Sequence, residues 1–175
     1  MSNDLKKEII RNIGTSNSTY RTVLARRILD DNTALSQLMD ILLEEHPVST
    51  RFSWLLGDIG EQNPEKSGEI LMSCFKILPQ VRIKNFDRTL SKQAMLCAPK
   101  FPEAIEGELV TKLFDWLMDP KTSVSTKNHC LFALEKLCKK YPELKEEFSL
   151  SVRDQLELNT KDFRKRAEKV LARLH

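Results

Sequence analysis

The fold of this chain is decided by residues 101–143, FPEAIEGELVTKLFDWLMDPKTSVSTKNHCLFALEKLCKKYPE. The stretch contains two apolar segments that are separated by a break at Asp119-Pro120. The apolar residues of the two segments are Leu109, Leu113, Trp116 and Leu117, followed by Leu131, Leu134, Leu137 and Cys138. Spacings of three and four residues place such side chains on one face of a helix. The stretch therefore predicts a pair of helices joined by a short turn.

The boundaries of this helix pair recur along the chain. Phe101-Pro102-Glu103 and Tyr141-Pro142-Glu143 enclose the pair, and Asn63-Pro64-Glu65 has the same form, so the three stops are 38 and 40 residues apart. A repeat of this length is typical of a helical solenoid, in which each helix pair stacks on the next. Apolar stripes ended by Pro or Gly extend over the rest of the chain. They predict about ten helices in five antiparallel pairs, within one domain over residues 1–175.

Composition supports an all-α chain and excludes several other classes. Of 175 residues only 5 are Gly, while 41% are hydrophobic and 30% are charged, as close-packed amphipathic helices require. The net charge of +3 is too small to indicate nucleic acid or an anionic membrane by itself. The four cysteines form no C-x-x-C pair and lie on apolar stripes, so we expect reduced core residues. No apolar run approaches the ~18 residues of a membrane span, and we expect a cytoplasmic protein without a membrane partner.

One segment of the 101–143 stretch has the letters of a known repeat. Asp119 is followed after four residues by Val124, and a basic residue, Lys127, comes soon afterwards, before the apolar series of the second helix. This arrangement resembles the HEAT-repeat branch of the armadillo-like superfamily. The HEAT pattern favours Arg or Lys directly after that Val, where this chain has Ser125. The resemblance implies a right-handed α–α superhelix and identifies an architecture, not an activity.

Catalytic and metal-binding signatures are absent from the sequence. There is no glycine-rich phosphate loop, no His-Glu-x-x-His and no Gly-x-Ser-x-Gly. The three histidines, at positions 46, 129 and 175, have no spacing that indicates a metal site. We therefore expect a non-enzymatic chain with no cofactor, no metal and no small-molecule substrate.

The sharpest local candidate is the group Arg51, Trp54 and Asp58. These residues lie off the stripe formed by Val48, Phe52, Leu55 and Ile59, so they point away from the core of their own repeat. HEAT-like alkylpurine DNA glycosylases have a similar Trp/Asp pair on a helix, in which the carboxylate would stabilise a cationic intermediate. The favoured interpretation is structural, with Trp54 packed against the neighbouring repeat, because large aromatic side chains are usually buried.

A second candidate is a basic face distributed over the second helix of each pair. It consists of Trp54, Asp58, Glu61, Arg88, Lys92, His129, Phe132, Lys136, Lys139, Lys165, Lys169 and Arg173. Seven of these residues are basic and two are acidic, which gives this face a charge of +5. Solvated helix faces commonly carry charge without a partner. In a solenoid, however, the second helices usually line the concave side, where such proteins bind. We expect Arg88 and Lys92 to contribute little packing.

These observations predict a HEAT-like binding or scaffolding module. The favoured partner of its basic face is an acidic protein segment, and the alternative partner is a nucleic-acid backbone. The alternative is a DNA-binding or base-excising repair protein that uses Trp54 and Asp58. A third interpretation is an auxiliary subunit whose function lies in another protein.

Overall fold

The structure is a computed structural model that describes residues 2–13, 18–31 and 35–174. Within these residues every regular element is helical, and no strand occurs. The all-α prediction is therefore confirmed. The described α-helices are α1 (Ser2–Asn12), α2 (Ser18–Asp30), α3 (Val48–Gln62), α4 (Lys66–Ile77), α5 (Phe86–Cys97), α6 (Glu106–Met118), α7 (Val124–Lys140), α8 (Lys145–Gln155) and α9 (Lys161–Leu174).

A 3₁₀ helix precedes α3, and shorter 3₁₀ turns occur at Leu78–Gln80, Glu103–Ile105 and Pro142–Leu144. Leu35–Leu43 forms a 3₁₀ helix of 9 residues, and its predicted apolar residues Leu35, Leu38, Met39 and Leu42 are buried. The three-residue repeat of a 3₁₀ helix keeps Leu35, Leu38 and Ile41 on one side. The inward face is therefore as the sequence predicts, although the hydrogen-bond pattern is not α-helical.

The 101–143 stretch folds as its pattern predicts. Leu109, Leu113 and Leu117 of α6 are fully buried, as are Leu131, Leu134 and Leu137 of α7. The backbone N–H of Thr126 donates to Ser123 Oγ at 3.2 Å, which caps the first turn of α7. Trp116 is only partly buried and packs at the edge of the core.

Lys127, the basic residue that follows Val124, lies in the core between α7 and α8. Its side chain is buried, and Nζ donates to Gln155 Oε1 of α8 at 2.5 Å. Burial lowers the pKa of Lys127, because a charged ammonium is disfavoured away from water, while the charge of Asp119 acts in the opposite direction. Lys127 therefore connects α7 to the following helix pair.

Contacts between helices follow a regular order. The 3₁₀ helix packs on α3. In the following pairs, α4 packs on α5, α6 on α7 and α8 on α9. Along the chain, α3 contacts α5, α5 contacts α7 and α7 contacts α9, so these four helices lie side by side. The first pair differs from the prediction, because α1 and α2 both pack mainly on α3. Side chains of Tyr20 and Arg27 on α2 also bond to Glu8 on α1.

Candidate functional site

The series α3, α5, α7 and α9 carries every residue that the sequence marks as a candidate. Two hollows lie on this series, one between α3 and α5 and one between α7 and α9. The α3–α5 hollow contains the predicted residues Trp54, Asp58, Arg88 and Lys92. The α7–α9 groove contains Phe132, Lys165, Lys169 and Arg173.

The α3–α5 hollow has a volume of about 340 Å³. Its lining residues are Arg21, Ser53, Trp54, Gly57, Asp58, Arg88, Thr89 and Lys92. Three cations and one carboxylate line it, so positive charge predominates. Arg21 comes from α2 and was not identified from the sequence, because its partner on α3 is 37 residues away.

Arg21 connects the acidic and the aromatic residue of this hollow. Its Nε donates to Asp58 Oδ2 at 2.5 Å, and its Cζ lies 5.9 Å from the centre of the Trp54 ring. A guanidinium at this distance from an indole ring makes a cation–π interaction. Trp54 is partly buried and packs against the core, whereas Asp58 is buried. The Asp58 carboxylate thus faces a cation that the protein itself supplies.

Lys92 is held in place by residues of α3. Its Nζ lies 2.9 Å from Glu61 Oε1, and a Cβ added at Gly57 would lie 3.3 Å from Nζ. The bare backbone at Gly57 therefore leaves room for the lysine side chain. The expectation that Lys92 contributes little packing is wrong, because the side chain crosses between two helices and is only 23% exposed.

Arg88 has a different environment on the same helix. It is exposed, and no ion pair involves it within the part of the chain that the structure describes. Arg88 lines the α3–α5 hollow together with Lys92. Arg88 is therefore a cation of this hollow that is available to an anion from outside.

His129 of α7 lies at the contact between α5 and α7. Its Nδ1 is 3.1 Å from the buried Ser91 Oγ. Burial lowers the pKa of His129 to about 4, and the neighbouring charges of Lys92 and Arg88 act in the same direction. The ring is therefore neutral at pH 7. The lowered pKa reflects mainly the burial of the ring, with a smaller contribution from the nearby cations.

Arg51 and Lys136, like His129, lie outside both hollows and make contacts between helices. Arg51 donates from Nη1 to the carbonyl oxygen of Ile10 at 2.6 Å, which ties α3 to the end of α1. Lys136 donates from Nζ to the carbonyl oxygen of Met95 at 2.8 Å, which ties α7 to the end of α5. Cations at such carbonyls satisfy the last acceptors of a helix.

The α7–α9 groove has a volume of about 470 Å³. It is lined by Phe132, Asp162, Lys165, Arg166, Lys169 and Arg173. Arg173 forms a two-point contact with Glu135 of α7, with Nε–Oε1 at 2.5 Å and Nη2–Oε2 at 3.0 Å. Arg166 is missing from the residues that the sequence marks. Its position directly after Lys165 on α9 is the sequence feature that could have indicated it.

The four cysteines carry free thiols. Burial raises the pKa of Cys74 and of Cys97 to about 12, so these thiols remain protonated at neutral pH. Among the described residues, no three His, Cys, Asp or Glu side chains come together as a metal site. In the same residues, no helix combines the length and the apolar character that a bilayer crossing demands.

Comparisons of the chain with protein-family models, with curated proteins and with solved structures found no match.

Proposed function

We propose that this chain is a non-enzymatic helical-repeat module of the HEAT or armadillo type that binds an acidic segment of a partner protein. The serial packing of α3, α5, α7 and α9, with a first helix paired to each, supports the solenoid part of this proposal. In this arrangement the four helices form one side of the superhelix.

The observation that carries the binding proposal is the position of Arg88. It lines the α3–α5 hollow next to Lys92 and Arg21, and no described carboxylate pairs with it. An incoming carboxylate would contact Arg88, while the partly buried Trp54 ring offers an apolar surface beside it. An acidic segment with an apolar side chain fits both features.

The test uses a fluorescent Glu-rich peptide that contains one leucine, together with a peptide of the same length in which Gln replaces each Glu. We expect the acidic peptide to bind, and added salt to weaken its binding because salt screens exposed charges. Arg88→Glu should lower the affinity about tenfold or more, since it places like charges in contact. Lys121→Glu, an exposed change in the turn before α7, is the matched control and should leave the affinity unchanged.

Arg88→Glu is a better probe than a change at Lys92. A glutamate at position 92 would face Glu61 and would disturb the contact between α3 and α5. If Arg88→Glu keeps a native circular dichroism spectrum and the same peptide affinity, the hollow is an ordinary solvated surface and the proposal is wrong.

The second candidate is a repair enzyme for alkylated purines. One observation favours it: Trp54 and Asp58 line the same hollow, and two arginines lie there with them. This candidate ranks second because the Asp58 carboxylate already accepts a hydrogen bond from Arg21 and is therefore not directed at a cationic base. Duplex DNA that carries a cationic alkylated purine should lose no base when incubated with the protein. Release of the base, abolished by Asp58→Asn, would reverse this ranking.

A further inference from the structure

Exposed residues of α8 and of the 3₁₀ turn before it form an acidic surface that includes an exposed leucine. A shallow hollow of about 370 Å³ is lined by Glu143, Glu146, Glu147, Leu150, Ser151 and Asp154. None of its four carboxylates forms an ion pair with any residue that the structure describes. The Leu150 side chain is 56% exposed. We call this the α8 surface.

The α7–α9 groove has the opposite character. Four cations and one carboxylate line it, and Phe132 provides an apolar surface. Arg173 pairs with Glu135, whereas Lys165, Arg166 and Lys169 form no ion pair within the described part of the chain. The groove and the α8 surface are thus complementary in charge, and each has an apolar residue.

Both surfaces also have the spacing of a helix. Lys165, Lys169 and Arg173 are four residues apart on α9. Glu143, in the 3₁₀ turn that leads directly into α8, precedes Glu147 by four residues. Residues at this spacing lie about 6 Å apart along a helix axis. A helix that carries carboxylates at this interval can therefore place them opposite the cations of α9. Like charges at this spacing destabilise an isolated helix, and a partner of opposite charge would relieve that repulsion in α9.

The two surfaces do not meet within one molecule. Although α8 and α9 pack against each other, no ion pair joins a carboxylate of the α8 surface to a cation of the groove among the described residues. A second molecule would bring them together. We propose that a second copy of this chain docks its α8 surface into the α7–α9 groove.

Such contacts use two different patches of one protein. They are therefore heterologous, and they extend head to tail unless rotation closes a ring. The proposal does not depend on the partner proposed for the α3–α5 hollow, because self-association occupies the α7–α9 groove and leaves Arg88 accessible.

Sedimentation velocity on the full chain tests the proposal. In buffer of about 50 mM salt, the weight-average mass should rise with protein concentration beyond that of a monomer. At about 500 mM salt it should return to the monomer value, because these exposed charges are then screened. A monomer at every concentration in low salt would overturn the proposal.

Two neutralised variants make the test specific. Lys165→Gln with Lys169→Gln removes charge from the groove, and Glu146→Gln with Glu147→Gln removes charge from the α8 surface. Each variant alone should be monomeric in low salt. Their mixture should form a one-to-one heterodimer and nothing larger, since each partner retains one intact surface.

Lys165→Arg with Lys169→Arg is the matched control and should associate like the unchanged chain. Association that persists in both neutralised variants would also overturn the proposal, because the contact would then lie elsewhere. A circular dichroism spectrum of each variant verifies that the helices are retained.

Discussion

Arg21 and Asp58 form a 2.5 Å ion pair that joins α2 to α3, and both side chains are largely buried, at 20% and 10% exposed. An ion pair in this position is costly to break, because the remaining group is left with little access to water. The same pair organises the α3–α5 hollow, since Arg21 also lies beside the Trp54 ring.

Arg21→Met and Asp58→Asn test this relationship. Each variant should lower the free energy of unfolding by about 1–3 kcal/mol, since each removes one partner of a charged hydrogen bond. The double variant should lose less free energy of unfolding than the sum of the losses of the two single variants. A double-mutant cycle from urea denaturation measures this difference. Additive losses would show that the two side chains do not interact in solution.

Leu134→Ala should destabilise the chain strongly. Leu134 is fully buried in the middle of α7, and its truncation leaves a cavity that costs about 2–5 kcal/mol. Leu150→Ala is the matched control, because Leu150 is mostly exposed and should cost less than about 0.5 kcal/mol. Urea midpoints of the two variants provide the measurement. Equal losses would mean that the inward face of α7 has been assigned incorrectly.

Gly60→Ala and Gly107→Ala should change stability in opposite directions. A Cβ at Gly60 would lie 2.3 Å from Gln93 Oε1 and 2.8 Å from Ser67 Oγ, so the alanine must displace two buried side chains. Gln93 also donates to the carbonyl oxygen of Leu56 at 2.8 Å, which limits its freedom to move. We expect a loss of about 1–3 kcal/mol at Gly60 from overpacking.

Gly107 lies in the first turn of α6, and no atom is within 4 Å of a Cβ added there. Alanine at this position should stabilise the chain by about 0.4–1 kcal/mol, because it restricts the unfolded chain without a clash. Thermal unfolding of the two variants compares them directly. A stabilised Gly60→Ala variant would show that α3 and α5 are less closely packed than the structure indicates.

His129 should make stability depend on pH in a defined window. Its pKa is about 4 in the folded chain, below the ordinary histidine value of 6.5. The unfolded state therefore binds the proton first, so stability is complete above pH 6.5 and decreases as the pH falls toward 4. We expect the free energy of unfolding to decrease by roughly 1–2 kcal/mol over this window. This is less than the full pKa shift of His129 would give, because the ring retains contact with solvent.

The measurement compares urea midpoints at pH 7 and pH 4.5 for the unchanged chain and for His129→Gln, which lacks the titrating ring. The chain has three histidines, so this variant also assigns the His129 ring resonance in a proton NMR titration. A His129 resonance that titrates near pH 6.5 would contradict the buried, cation-flanked position of the ring.

The local pattern of the sequence was sufficient for much of the fold. Apolar side chains at three- and four-residue spacing identified α5 over Phe86–Cys97, and the Pro and capping residues placed the ends of α6 and α7 closely. This succeeds because helix periodicity and termination depend on neighbouring residues. The same reasoning identified the cations on α5, α7 and α9, because the apolar residues of a helix show which of its positions form the polar face.

The pairing of those charges was decided by the tertiary structure alone. The sequence marks Arg51, Trp54 and Asp58 as one group, but packing directs Arg51 to the end of α1 and brings Arg21 to Asp58 from α2. It also gives Lys92 a partner in Glu61 and leaves Arg88 without one among the described residues. Contacts of this kind join residues about 30–40 positions apart, and their geometry depends on how neighbouring helices pack. Local periodicity determines which face of a helix carries charge, whereas packing between helices determines which of those charges stay available to a partner.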